Sequence, residues 1–180
     1  MTITALALRE NELYAEVLSV NGSMQEKHAL LEALGVYEKF KQVHNEYARL
    51  CDTDLEALKR GLFIQWYSLS EPNCFTGIFL LNSFAVKNVL DCVYRHLLSN
   101  EPDFELRWML SYYSEICEFM FEEHLQLKLF YENLNESYKV DLPDCIDREA
   151  MKSRGQMGIY WNSINGFNDC PDISKVLQDK

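Results

Sequence analysis

The chain has 180 residues, a net charge of −11 and 48% apolar residues, which suits one domain with a sizeable core. Its acidity argues against nucleic acid and against an anionic membrane surface, because phosphate binding needs a basic face. No apolar run reaches the roughly 18 residues that a membrane span needs.

The opening MTITALALRENELY meets charge at Arg9 and has no basic leading region, so no signal peptide is expected. A first helix is predicted over 4–20, with Leu6, Leu13, Tyr14, Val17 and Leu18 on one face. Asn21-Gly22 stops it. Ser23 and Glu26 read as a capping box, in which each satisfies a free N–H of the other's backbone. They open a helix over 24–51, with Gly35 as its weak point. Thr53 and Glu56 read as a second box, opening a helix over 54–69 striped by Leu55, Leu58, Leu62, Trp66 and Leu69. Pro72 limits it, since a residue before proline avoids the helical region.

Residues 70–82 form a connector. Its middle, Ile78-Phe79-Leu80-Leu81, is too apolar for a free loop and is expected against the core. Asn82-Ser83 cap a helix to about 98, with Lys87, Asp91 and Arg95 as an outer charge ladder. The stretch 103–136 is the longest. Met109, Tyr113, Ile116, Met120, His124, Leu127, Tyr131 and Leu134 share one face, which predicts a central helix with a break near 122–126. Beyond residue 140 come Pro143, Gly155, Gly158, Gly166 and Pro171, with short helices at 145–153, 156–164 and 171–178. The expected fold is an all-α, single-domain bundle of about five main helices over 1–140. An irregular, short-helical segment, 141–180, packs on it.

Several chemistries lack their residues. Carboxylate-bridged metal pairs need Glu-x-x-His on two helices, and no such motif precedes His28, His44, His96 or His124. No metal site and no cofactor is therefore expected. No GxSxG elbow or phosphate loop occurs. The six cysteines lie 18 to 28 residues apart without a CxxC pair, which argues against a zinc knuckle or a local dithiol motif. Reduced thiols in the cytoplasm are expected.

What remains are two binding patterns. Residues 101–149 hold 13 acidic and 4 basic residues, and Glu115, Glu118 and Glu122 share a helix face at steps of three and four. That favours a non-catalytic adaptor, regulator or immunity-type protein that presents an acidic face to a basic protein partner. The alternative is an enzyme or small-molecule binder with an aromatic pocket between helices. Arg60, Tyr67 and Glu71 share one helix face if the helix reaches Glu71, and His124 sits in an apolar stripe where its ring could act as acid or base. Trp66 and Trp108 would wall such a pocket.

Overall fold

The computed structural model describes residues 1–98, 103–122, 124–132, 141–164 and 166–169. Helix α1 (Ile3–Ser19) begins where the Thr2 hydroxyl accepts from Ala5 N–H, and it stops ahead of Asn21-Gly22. The Ser23–Glu26 box forms as expected at the head of α2 (Met24–Ala33). The single helix expected over 24–51 divides at Gly35. That residue takes φ 67°, a left-handed turn that glycine adopts without strain, and α3 (Val36–Leu50) starts afresh. Thr53 does not cap the next helix. Asp54 does, accepting from Ala57 N–H at 3.1 Å, so α4 (Leu55–Ser70) keeps Glu56 for ion pairing.

Helix α4, rather than the 103–136 stretch, is the central one. Every residue from Ala57 to Trp66 is buried, and α4 touches α3 and four elements introduced below. The 103–136 stretch is not one helix. It gives α7 (Phe104–Ile116), a 3-10 turn (Glu118–Phe121) and α8 (Leu125–Glu132), while 133–136 lie outside the described residues. Helix α7 already ends at Cys117, whose backbone leaves the helical region (φ −128°, ψ 77°), and the break expected near 122–126 is present as well, with Glu122 and His124 outside helix between the 3-10 turn and α8. Together these interruptions let Met120 and Leu127 stay buried while Leu125 and Leu129 face outward.

Between these, Pro72 precedes the one-turn helix α5 (Asn73–Thr76), and α6 (Ser83–Leu97) starts on the Asn82 cap as expected. Only part of the 78–81 segment lies against the core. Ile78 is fully buried, whereas Leu80 is 69% exposed. The C-terminal segment has a two-residue parallel ladder of β1 (Cys145–Ile146) and β2 (Asn168–Asp169), which nothing in the hydropathy pattern announced. It continues with α9 (Arg148–Met151) and α10 (Gly155–Ser163), so the helix expected at 145–153 begins late. The helix expected at 171–178 lies outside the described residues. Apart from the ladder, the regular structure of the described residues is helical. Cys51, Cys74, Cys92 and Cys117 are free thiols, but Cys145 is disulfide-bonded, contrary to the expectation of wholly reduced cysteines.

Helix α10 is packed into the core against α1, with Met157 and Trp161 fully buried. Its seat is defined by a carboxylate. Glu10 of α1 is fully buried and accepts from the Tyr47 hydroxyl of α3 and from Gln156 N–H of α10 at 3.1 Å. Gly155 must be glycine for two reasons. Its φ is +61°, and a Cβ there would stand 2.6 Å from Glu10 Oε1. Burial raises the Glu10 pKa to about 7, although the Tyr47 hydrogen bond and the nearby Arg60 charge pull the other way.

Two outcomes are expected. Gly155→Ala should lower unfolding free energy in urea by about 2 kcal/mol, through strain and the clash with Glu10. Glu10 also makes stability depend on pH. Its folded pKa lies above the unfolded value, so its contribution is complete below about pH 4.5 and is lost as pH rises through about 7. Relative to Glu10→Gln, the wild-type chain should lose about 3 kcal/mol across that window. Parallel stability–pH curves for the two proteins would rule this out.

Candidate functional site

Of the candidate site residues singled out from sequence, only His124 lines the groove described below. Arg60 is buried in an ionic chain on the inner side of α4. Its Nε donates to Glu56 Oε1 at 2.7 Å, Nη1 donates to Ile3 O at 3.4 Å, and Nη2 to Ser153 O at 3.3 Å. Glu56 also accepts a two-pronged bond from Arg154, at 2.7 and 2.6 Å. Arg154 in turn grips Glu105 at the head of α7, and Lys59 Nζ reaches Glu105 at 2.6 Å and Asp103 at 2.8 Å. Burial pushes the Glu56 carboxyl up, but Arg154 and Arg60 outweigh it and hold it below the ordinary range. This network joins α4, α7 and the start of α10. Both guanidinium groups are committed to it, so Arg60 has no face for a ligand.

Tyr67 lies at the opposite end of α4, and Glu71 follows the last helical residue in extended backbone (φ −132°, ψ 149°), so the helix does not carry it onto the face of Arg60 and Tyr67. The Tyr67 ring packs on Phe63 (5.0 Å between centroids) and Tyr160 (5.5 Å). Burial first, then neighbouring Tyr14 and Glu71, raise the Tyr67 ionisation well above its ordinary value. Trp66 and Trp108 are core residues rather than pocket walls. Trp66 stacks on Tyr113 at 4.5 Å, and Trp108 meets Trp161 edge-on at 4.7 Å.

The acidic triplet is split by the break in the helix. Glu115 ends its exposed course on α7, and exposed Glu122 follows the 3-10 turn, 3.6 Å from Lys128. The Glu118 side chain lies outside the described residues. Glu115 and Glu122 therefore do not share the single helix face that their spacing implied.

His124 leads to the site that sequence reasoning missed. It is buried at one side of a half-open groove of about 730 Å³. Gln65, Ser68 and Leu69 of α4 form one wall, at the i, i+3, i+4 spacing of a helix face. Ser83, Val86, Lys87 and Leu90 of α6 form the other by the same rule. Leu80 and Phe84 stand on the rim, and Phe84 is 85% exposed. Leu80 holds φ 49°, a left-handed conformation that side chains other than glycine adopt at a cost of about 1 kcal/mol or more. Gly77 sets up that turn. A Cβ there would meet Val17 and Phe40 at 2.6 and 2.7 Å, so the chain is pinned against the core just before it swings out.

Gln65, Lys87 and His124, polar groups of the groove, are already engaged. Leu127 N–H donates to His124 Nδ1 at 3.2 Å, so Nε2 carries the ring hydrogen and donates to Asp91 at 2.9 Å. Neither nitrogen is left to move a proton on a ligand. Lys87 Nζ donates to the other Asp91 oxygen at 2.7 Å. That bond, opposed by burial and aided by His124, holds the Asp91 carboxyl below its usual range. On the floor, Gln65 Nε2 donates to Val86 O at 3.3 Å and lies 3.0 Å from His44 Nε2. Burial lowers the His44 pKa to about 4, so that ring stays neutral at physiological pH. Among the described residues no cluster of three His, Cys, Asp or Glu could hold a metal ion. The groove is equipped for apolar contact, and a sequence signal for it was the apolar middle, 78–81, of the connector.

A rim residue without a packing role should be removable. Phe84→Ala should change unfolding free energy by less than about 0.5 kcal/mol. Phe63→Ala, in the core, should cost about 3–5 kcal/mol by the same urea titration. Equal losses would mean that Phe84 serves the fold. Comparison of the chain with protein-family models, curated proteins and solved structures finds no match.

Proposed function

We propose that this is a non-catalytic interaction protein whose groove between α4 and α6 receives an amphipathic helix of a protein partner. The observation that carries it is the exposed apolar rim, Phe84 and Leu80, standing over a groove of about 730 Å³. A helix laid in a groove anchors itself by apolar residues at i, i+3, i+4 and i+7. The half-open shape suits such a segment better than a small molecule, which an enclosed cavity holds more completely. The net charge of −11 sets the sign of the partner's polar side, which should be basic. The bonding of His124 favours binding over catalysis, since both ring nitrogens are occupied. The four free thiols fit a cytoplasmic setting, and the Cys145 disulfide does not.

The test is affinity capture from native extract at low and high salt, with wild-type protein beside Phe84→Asp and Leu80→Asp. A specific retained protein should weaken with salt and bind each groove variant at least tenfold less tightly, as truncated anchors do. Isolated peptides from it should bind only when they carry an amphipathic basic helix. Equal retention by the groove variants, indifference to salt, or no specific protein retained would overturn the proposal.

A further inference from the structure

Cys51 ends α3, and α6 brings Cys92 beside it although the two are 41 positions apart. Their sulfurs lie 2.7 Å apart, and both are free thiols. A disulfide bond spans about 2.05 Å, so little movement separates the two states. Both residues are buried, yet both border a depression of about 350 Å³ that Asp52, Arg95 and His96 also line. Arg95 is ion-paired with Asp52, and its Nη2 stands 3.1 Å from Cys92 Sγ. Asn88 Nδ2 lies 3.7 Å from Cys51 Sγ on the other side. Cys74 and Cys117 are free thiols of the same chain, and neither borders this depression. The chain has no CxxC motif, so the pairing is made by the contact of α3 with α6 rather than by local spacing.

We propose that Cys51 and Cys92 are a reversible oxidation site, closed to an intramolecular disulfide by exchange with a low-molecular-weight disulfide. One cysteine thiolate attacks a sulfur of the oxidant, whose S–S bond breaks and releases one thiol. The second cysteine thiolate then attacks the protein sulfur of the mixed disulfide and expels the second thiol. Two electrons pass from the cysteines to the oxidant, and the two cysteine protons finish on the departing thiols. Burial raises both thiols, and the nearby Arg95 charge pulls the other way. The bond would tie α6, which carries one wall of the groove, to the end of α3. This inference stands on the sulfur geometry and does not depend on what the groove binds.

The experiment uses the full chain, fully reduced and then equilibrated with oxidised and reduced glutathione in varying ratio. Remaining thiols are alkylated in denaturant and located by peptide mass spectrometry. Cys51 and Cys92 should lose alkylation together, with a mass decrease of two hydrogens that dithiothreitol reverses. Cys74 and Cys117 should stay alkylated throughout. The Cys145 disulfide reports that the oxidant has acted. If Cys145 is oxidised while Cys51 and Cys92 remain alkylated, or carry separate glutathione adducts, the proposal is overturned. Cys92→Ser should leave Cys51 without the intramolecular bond, and a wild-type pattern in that variant would also count against it.

Discussion

A carboxylate sealed from water must find its donors inside the protein, and at Glu10 this requirement organises the molecule. Its hydrogen bonds come from α3 through Tyr47 and from α10 through Gln156 N–H, with the Arg60 guanidinium of α4 close by. Four elements are thereby held to one point at which an unmatched group would cost several kcal/mol. Gly155 exists to let the α10 backbone come near enough. From Arg60 the ionic chain continues through Glu56, Arg154, Glu105 and Lys59 and reaches α7. The polar interior is thus continuous, and it runs beside an aromatic core in which Trp66, Tyr113 and Trp161 stack. Buried ion pairs of this kind need add little net stability over apolar replacements, but removing one partner would leave a buried charge unmatched.

The groove lies on the far side of α4 from this network. Residues Gln65, Ser68 and Leu69 are presented there by a helix whose opposite face is locked by Arg60 and Lys59. A rigid wall keeps its side chains in place without help from a ligand, which lowers the ordering cost of binding. The edge of the groove is the 78–81 segment, where Gly77 fixes one end and the Asn82 cap fixes the other. Leu80 between them is held in a conformation that solvent exposure does not reward.

Local chemistry was readable from sequence where a single side chain decides the outcome. The Ser23–Glu26 box, the Asn82 cap and the stop at Pro72 are interactions between near neighbours, and they formed as spelled. Gly35 was visible as a weakness for the same reason. The Cys117 break was not, because no breaker marks it and the apolar period runs on through it. The central place of α4 was also hidden. Lys59, Arg60 and Gln65 read one by one as solvent-facing polar residues until Glu105, Arg154 and His44 arrive from other parts of the chain and the buried network and groove floor form. The same holds for the groove and the cysteine pair. Each is made of residues that are ordinary one by one and become a site only when helices distant in sequence meet.

The span between Glu10 and its donor on Gln156 is 146 positions. During synthesis the first helix therefore emerges long before the group that completes it. Until α10 has left the ribosome, Glu10 lacks its backbone donor, and the surface of α1 on which α10 packs stays open. Contacts so far apart in sequence form slowly, because the chain entropy of closing them is lost before they repay it. The nascent protein thus carries an unfinished seam through most of its translation, one that a chaperone could recognise and that any truncation ahead of Gly155 would leave permanently unsealed.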